Sequence, residues 1–225
     1  AKLAVLGQMS AGLNHEMNQP LTAIQAYARN SRRFLERGEQ DVVDANLAEI
    51  VSLCDKMAEL TRQFKVFARK SEGLPSQVDL RLPIDAALKI IRAQDSNHGI
   101  SIEWQRPDGA IMVHGDLIRI EQVIVNLIAN AVQAVENSAN PRIHLEIRPQ
   151  GAQVQCLVRD NGSGLPANTE QIFEPFFTTK SMKQGLGLGL SISRQIMDAL
   201  GGKLIGQNRP DTQGAEFILT FQTRS

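Results

Sequence analysis

The sequence Leu13-Asn14-His15-Glu16-Met17-Asn18-Gln19-Pro20-Leu21 lies in a long run whose apolar residues recur at helical spacing. Alternating steps of four and three residues define the seam of a helix that pairs with another helix. The members of this seam are Leu6, Ser10, Leu13, Met17, Pro20, Ile24, Tyr27, Ser31 and Phe34. His15 falls on the opposite face, where its imidazole is nucleophilic near neutral pH and Glu16 can accept a proton or orient the ring. An outward histidine is usually a solvated surface residue, so His15 and Glu16 become a candidate phosphoryl acceptor and its helper only together with the rest of the chain.

A second apolar stripe follows a short connection and predicts a helical hairpin. The first helix is predicted to run from Lys2 to about Arg37, and residues 38–41 supply a stop signal and an N-cap candidate. The second stripe consists of Val43, Leu47, Ile50, Cys54, Met57, Thr61, Phe64 and Ala68. It is widened by Val51, Leu53, Leu60 and Phe67. One partner helix cannot cover so wide a stripe, so we expect an antiparallel hairpin that pairs with a second copy in a four-helix bundle, as a homodimer.

Composition and charge exclude several classes of protein. The chain has 225 residues, of which 42% are hydrophobic, enough for one large domain or two smaller ones. Its 24 basic and 24 acidic residues balance, so no global field favours nucleic acid. Cys54 and Cys156 share no C-x-x-C spacing, which disfavours zinc and a disulfide framework. No apolar run approaches a membrane span, and because the chain starts inside a helix without Met, we expect membrane contact only through absent segments of a longer protein.

The sequence pattern changes near residue 72. Residues 72–76 have the composition of a hinge, which predicts a helical domain at residues 1–71 and a second domain at residues 77–225. Helices are predicted over Ile84–Ala93, Leu117–Val135 and Ser191–Leu200. Strands are predicted near Gln77–Leu80, Ile100–Gln105, Ala110–His114, Arg142–Arg148, Gln153–Arg159, Lys203–Gly206 and Glu216–Gln222. The predicted fold class is therefore multidomain, α followed by α/β, with a mixed sheet and helices on one of its faces.

Two asparagines form the first candidate site of the second domain. Asn126 and Asn130 are four residues apart and so share one face of an otherwise apolar helix. Their carbonyls are neutral oxygen ligands that suit a hydrated magnesium ion, and their N–H groups can contact phosphate. The alternative is that both amides bind neighbouring backbone in the core, and this helix alone does not decide between the two.

Asp160-Asn161-Gly162-Ser163-Gly164 directly follows a predicted strand. An acid at a strand end with two glycines behind it leaves room for a flat ring to approach the backbone, and an adenine amino group is a suitable donor to Asp160. An ordinary Asp-Asn-Gly turn explains the same residues equally well.

Two further clusters follow along the chain. The stretch Ile172-Phe173-Glu174-Pro175-Phe176-Phe177-Thr178-Thr179-Lys180 combines aromatic packing residues with hydroxyls and a cation, and Lys180 or Lys183 suits phosphate charge. Gly185-Leu186-Gly187-Leu188-Gly189 then leads into a helix, which brings flexible amides and a helix N-terminus to one place. This is neither a P-loop nor a dinucleotide fingerprint. Each cluster is weak alone, but all four in this order indicate a nucleotide site.

In this order the clusters resemble those of the sensor histidine kinases of two-component systems, over nearly the whole chain. His15-Glu16 with Pro20-Leu21 is similar to the family's phosphoacceptor box. The other boxes are matched by Asn126 and Asn130 (asparagine box), Asp160, Gly162 and Gly164 (first glycine box), Phe173, Phe176 and Phe177 (aromatic box), and Gly185, Gly187 and Gly189 (second glycine box). The run from His15 to Leu21 also resembles the subgroup of dicarboxylate transport sensors.

The resemblance implies a dimerising phosphoacceptor hairpin followed by an ATP-binding sandwich of the type shared with gyrase and chaperone ATPases. Carried over by position, Asn130 is the main magnesium ligand, Asn126 lies near the phosphates and Asp160 fixes adenine. The implied nucleotide-binding set is Asn126, Asn130, Asp160, Gly162, Gly164, Thr179, Lys180, Lys183, Gly185, Leu186, Gly187, Leu188 and Gly189. ATP and Mg²⁺ are implied cofactors, and His15 is implied to pass its phosphoryl group to an aspartate of a response regulator. The implied location is the cytoplasmic part of a bacterial inner-membrane sensor.

Two alternatives stay open at this point. A relative of the same fold that hydrolyses ATP for conformational work is disfavoured, because its general base stands one turn before the magnesium asparagine, where Asn126 cannot take a proton. The second alternative is a dimeric scaffold that binds ATP only as a switch. Acid-labile, alkali-stable phosphate incorporation separates a kinase from such a scaffold.

Overall fold

A computed structural model describes residues 2–68, 76–94, 99–178, 187–210 and 212–223, without the side chains of residues 2–16, 56, 59–60, 62–68 and 94. The chain divides into two compact units, Ala1–Lys70 and Ser71–Ser225. The predicted hinge lies largely outside the described residues; its last member, Ser76, already belongs to the first strand.

The first unit is a pair of long helices joined by a tight turn. Helix α1 spans Lys2–Leu35 and helix α2 spans Gln40–Ala68. Gly38 has φ +75° in the turn, a conformation that glycine adopts without strain. The described part of the predicted α1 seam is confirmed: all its side chains are buried or half-buried, while most of their neighbours are exposed. They are Met17, Pro20, Ile24, Tyr27, Ser31 and Phe34.

The predicted stripe on α2 is partly wrong. Val43, Ile50 and Met57 are half-buried as predicted, but Leu47, Cys54 and Thr61 are exposed, and the side chains of Phe64 and Ala68 lie outside the described residues. The half-buried residues are Val43, Asn46, Ile50, Leu53 and Met57, again in steps of three and four. Leu47, Val51 and Cys54 are exposed and form a second apolar stripe. The helix carries two apolar stripes, and the inner one includes the polar Asn46, which apolar periodicity alone does not detect. Because this second stripe is exposed in the hairpin, a four-helix bundle formed with another copy stays a prediction.

The second unit contains two sheets where the sequence predicted one. Its elements are β1 Ser76–Asp79, α3 Arg81–Gln94, β2 Ser101–Gln105, β3 Met112–Gly115, α4 Leu117–Val135, β4 Arg142–Gln150, β5 Gln153–Asp160, a 3-10 helix Thr169–Phe173, α5 Gly189–Ala199, β6 Lys203–Asn208 and β7 Ala215–Gln222. The larger sheet has the order β2-β4-β5-β7-β6, with β2 and β4 parallel and the other pairs antiparallel. Within the described residues, strands β1 and β3 form a separate two-stranded antiparallel sheet, and Val78 and Val113 from these strands are buried in the core.

The three helices α3, α4 and α5 cover one face of the larger sheet, as predicted. Alternate residues of β4, β5 and β7 join a single core with the apolar faces of the helices. Helix α4 is long and apolar enough to cross a membrane by length and composition, which corrects the expectation that no such run exists. Ile120, Ile124 and Leu127 of this helix are nevertheless fully buried, so α4 is a core helix of this unit.

Candidate functional site

Helix α4 carries both candidate asparagines on one half-buried face. Asp116 caps the helix by accepting hydrogen bonds from the backbone N–H groups of Ile118 and Arg119, at 3.0 and 3.1 Å. The helix then buries an apolar stripe, which leaves Asn126 and Asn130 half-buried on the same face at four-residue spacing.

Asn126 connects α4 to the start of α5. Its Nδ2 donates a hydrogen bond to the Oγ of Ser193 at 2.8 Å, and Ser193 is buried. A Cβ built on Gly189 would lie 2.3 Å from Asn126 Oδ1, so only glycine permits this approach. Asn126 of the asparagine box therefore contacts Gly189 of the second glycine box. The motifs did not predict its hydrogen bond to Ser193.

Asn130 is the amide best suited to a ligand. It is half-buried and makes no side-chain hydrogen bond within the described part of the chain. A neutral amide oxygen fits a hydrated magnesium ion that also binds phosphates. Among the described residues no group of three or more His, Cys, Asp or Glu could hold a metal ion.

Asp160 ends β5 with its carboxylate almost completely buried. Its Oδ1 accepts hydrogen bonds from the backbone N–H groups of Gly162 at 2.9 Å and of Ala215 at 3.2 Å. Buried charge needs such partners, and a carboxylate held in this way has a fixed orientation. The structure places Asp160 where the loop after β5 meets the start of β7.

The two glycines after Asp160 are required by close contacts. A Cβ on Gly162 would lie 2.3 Å from the backbone oxygen of Ala134, so the backbone of the loop is in close contact with the C-terminal turn of α4. Gly164 has φ +81°, and a Cβ there would lie 2.7 Å from Asn208 Oδ1. Asn161 pairs instead with the backbone of Arg142 and Asn140, which gives it a structural role.

The aromatic cluster contacts the second glycine cluster. Phe176 donates its backbone N–H to the oxygen of Gly187 at 3.1 Å, and a Cβ on Gly187 would lie 2.3 Å from the oxygen of Phe177. Phe173 is buried, and the Arg194 guanidinium lies 4.3 Å from its ring centroid. Leu188 is buried beside Gly187 and Gly189.

Several predicted site residues lie outside the described residues. They are Thr179, Lys180, Lys183, Gly185 and Leu186 in the second unit and the side chains of His15 and Glu16 in α1. Sequence reasoning missed three site contacts, those of Ser193, Asn208 and Ala215. A small polar residue on the apolar face of α5 was the only signal for Ser193, and nothing marked the other two.

Two protein-family models match the chain. The "His Kinase A (phospho-acceptor) domain" matches residues 5–73. The "Histidine kinase-, DNA gyrase B-, and HSP90-like ATPase" matches residues 115–225. Together they include all the predicted site residues, from His15 to Gly189.

Individual proteins give the same picture. The C4-dicarboxylate transport sensor protein DctB of Rhizobium meliloti is 34% identical over 98% of this chain, which spans 35% of that protein. The chain thus covers about a third of this curated relative. The catalytic domain of histidine kinase ThkA is 31% identical, with a TM-score of 0.59 over 67% of this chain and 97% of that one. ThkA in complex with the response regulator protein TrrA aligns over 99% of this chain and 63% of that one, with a TM-score of 0.74; at 23% identity it shows the fold alone.

Proposed function

This chain belongs to the histidine kinase family, and on that premise we propose that it transfers the γ-phosphoryl group of ATP to its own His15. One observation carries the proposal. Asn126 joins Ser193 and packs on Gly189, so the amide-bearing helix and the glycine-rich start of α5 form one site. Such a site would bind the phosphoryl donor, ATP. The proposed phosphoryl acceptor is His15, which lies in α1 of the helical hairpin.

The buried carboxylate of Asp160 binds the base in this proposal. Its orientation is fixed by the N–H groups of Gly162 and Ala215, and the exocyclic amino group of adenine is a donor that a carboxylate accepts. A guanine presents an oxygen at that position, which a carboxylate repels. Asp160 therefore selects ATP over GTP, and Gly162 and Gly164 let the base approach the backbone.

The phosphates bind at the start of α5. This helix has 11 residues, and its N-terminal amides carry the positive end of the helix dipole. Gly187, Leu188 and Gly189 supply the backbone there, while Gly185, Leu186, Thr179, Lys180 and Lys183 are proposed to complete the phosphate contacts. Asn130 is the proposed magnesium ligand, with Asn126 beside it. When bound, magnesium neutralises phosphate charge and orients the transferring group.

The acceptor step uses His15 and Glu16. The unprotonated ring nitrogen of His15 forms a bond to the γ-phosphorus while the bond from that phosphorus to the bridging oxygen of ADP breaks. The other ring nitrogen then loses its proton, and Glu16 is the adjacent base that accepts it. ADP leaves with the electron pair of the broken bond.

Phosphohistidine retains transfer potential that a carboxylate can accept. We propose that the phosphoryl group passes to an aspartate of a response regulator receiver domain, and the complex of ThkA with the response regulator protein TrrA supports this class of partner. Similarity to a C4-dicarboxylate transport sensor supports dicarboxylates as the class of signal. A cytoplasmic kinase core of a bacterial inner-membrane sensor is the location consistent with this role.

The homodimer is proposed from the outer face of α2. Leu47 is 49% exposed and Val51 is 60% exposed, and with Cys54 they form a continuous apolar stripe away from α1. Apolar stripes of this kind on helical hairpins are buried by a second hairpin in four-helix bundles.

Incubation with γ-labelled ATP tests the proposed reaction. The chain is expected to incorporate phosphate that is labile in acid and stable in alkali, and His15→Gln is expected to abolish it. The matched control is His144→Gln, because His144 faces Glu103 and Glu146 on the face of the sheet opposite the core. Labelling that persists in His15→Gln excludes this acceptor. ATP hydrolysis without protein labelling would favour the ATPase alternative, which the inability of Asn126 to take a proton disfavours.

A further inference from the structure

The connection between β6 and β7 lies against the loop that follows Asp160. No motif in the sequence points to this connection, and the proposed function uses only one of its groups, the Ala215 N–H that binds Asp160. Asn208 is the last residue of β6, Arg209 follows it, and Ala215 begins β7. Each of these residues makes a hydrogen bond to Asp160 or to the loop behind it.

Asn208 binds both backbone polar groups of one loop residue. Its Oδ1 accepts from the N–H of Leu165 at 2.6 Å, and its Nδ2 donates to the oxygen of Leu165 at 3.0 Å. A side-chain amide here pairs with a peptide as a neighbouring strand would. Because the preceding Gly164 has φ +81° and lies against Asn208 Oδ1, this pairing fixes the backbone of the glycine loop in one geometry.

The side chain of Leu165 is held by the same strand. A Cβ on Gly206 of β6 would lie 3.2 Å from Leu165 Cδ1 and 3.0 Å from Ile172 Cδ1, so the glycine leaves room for both. Leu165 therefore contacts β6 through its backbone and through its side chain, and the end of the glycine loop is anchored there.

Arg209 acts on Asp160 itself. Its Nη1 donates to the backbone oxygen of Asp160 at 3.2 Å, and its own N–H donates to the oxygen of Gly214 at 3.1 Å. Gly214 packs so closely on the same oxygen that a Cβ there would lie 2.0 Å away. With the Ala215 N–H on Asp160 Oδ1, one connection holds both the backbone and the carboxylate of this residue.

We infer that Asn208 and Arg209 are positioning residues that hold Asp160 and the glycine loop in the geometry that binds adenine. The inference rests on the proposed ATP site and names the elements that make it selective for its base. A hydrogen bond between the base and a fixed carboxylate depends on orientation, so loosening this connection weakens base binding. The phosphate contacts at Asn130 and α5 involve neither residue, so the transfer step at saturating ATP stays intact.

Calorimetric titration of the whole chain with ADP and with GDP tests this inference. Asn208→Ala and Arg209→Ala are expected to weaken ADP binding roughly two- to tenfold, the worth of one net hydrogen bond, and to reduce the preference for ADP over GDP. Arg209→Lys keeps one donor and is expected to restore most of the affinity. The KM for ATP should rise in the two alanine variants while kcat for His15 labelling changes by less than about twofold.

Thr223→Ala is the matched control, since it also removes an exposed side-chain hydrogen bond to backbone, at 2.9 Å to the oxygen of Ala152, at the far end of β7. Unchanged ADP affinity in Asn208→Ala and Arg209→Ala, with the parent melting temperature, overturns the inference. An equal loss of ADP and GDP affinity together with a lowered melting temperature also overturns it, because the residues are then merely structural. Failure of the unsubstituted chain to bind ADP refutes the proposed function instead, so the two failures are distinguishable.

Discussion

Asn126 donates a hydrogen bond from Nδ2 to the Oγ of Ser193 at 2.8 Å, and this bond joins the middle of α4 to the second turn of α5. The two residues are 67 positions apart in the sequence. The same amide lies against Gly189, so it sets the position of the helix start that is proposed to bind phosphate. Asn126 therefore positions the start of α5 relative to α4, in addition to any contact that it makes with a phosphate.

Ser193→Ala tests this connection. The substitution leaves the Asn126 Nδ2 without its acceptor in a largely buried place, so the free energy of unfolding is expected to fall by about 1–2 kcal/mol. Because the start of α5 loses an anchor, the KM for ATP is expected to rise. Urea denaturation and labelling kinetics measure the two effects. Thr22→Ala removes an exposed hydroxyl that donates to Asn18 on α1 and is expected to change neither. Wild-type stability and KM in Ser193→Ala would contradict the role given to this bond.

Gly162→Ala is expected to destabilise the second unit. Its Cβ would meet the backbone oxygen of Ala134 at 2.3 Å, and backbone at a helix end cannot yield as a flexible side chain does. Overpacking of this kind costs about 1–3 kcal/mol, and displacement of the loop should also weaken ADP binding. Gly109→Ala is the matched control, because nothing lies within 4 Å of its Cβ position. Equal melting temperatures for the two variants would refute this account of Gly162.

Much of the fold follows from sequence periodicity, since α4 begins and ends where predicted and the described α1 seam has the predicted members. The α2 stripe was partly wrong, because Asn46 lies on the inner face while the apolar Leu47 is exposed, and packing between the two helices decides which face is covered. The separation of β1 and β3 from the main sheet depends on long-range pairing that no local pattern encodes. Similarly, the motifs located Asp160 and the glycines, but the contacts of Asn208 and Ser193 come from distant segments.

Phe176 is the one non-glycine residue with positive φ in the described part of the chain, at +67°. It follows Pro175 in a turn closed by the Phe177 N–H on the Glu174 oxygen at 3.2 Å, and this position of a type II turn favours glycine. Phe176→Gly is therefore expected to be more stable than Phe176→Ala by about 1 kcal/mol, the reverse of the usual order. Thermal unfolding of the pair measures this, with Phe177→Gly and Phe177→Ala as a control in the usual order. The usual order at Phe176 would contradict the left-handed conformation.

Val51→Glu tests the proposed homodimer. A charge in the exposed apolar stripe of α2 would be buried without a partner in a four-helix bundle, so the variant is expected to shift towards monomer. Sedimentation at micromolar protein measures the change in mass. Ser52→Glu adds the same charge at the next residue, which is exposed and outside both apolar stripes, and is expected to remain dimeric. A monomeric parent chain, or a dimeric Val51→Glu, would count against this interface.

The lowered pKa of Asp79 makes the free energy of unfolding of the second unit depend on pH. The Arg81 guanidinium, with the N–H groups of Ile111 and Arg81, lowers the pKa of Asp79 from 3.8 to about 2. A carboxylate whose pKa is lower in the folded state contributes stability above the unfolded pKa and loses it as the pH falls from about 4 towards 2. Its side chain is 13% exposed, so we expect roughly 1–2 kcal/mol after allowing for solvent screening.

Asp79→Asn is the variant that measures this contribution. It is expected to be less stable than the parent chain by that amount near pH 7, and the difference should shrink as the pH falls below about 4. Urea denaturation of both proteins across this range gives the two curves. Asp108→Asn also removes one carboxylate, but only the backbone oxygen of Asp108 accepts from Arg81, at 2.7 Å, so its stability at pH 7 is expected to match the parent. A stability difference for Asp79→Asn that stays constant down to pH 2 would show that shape or packing, rather than charge, makes Asp79 important.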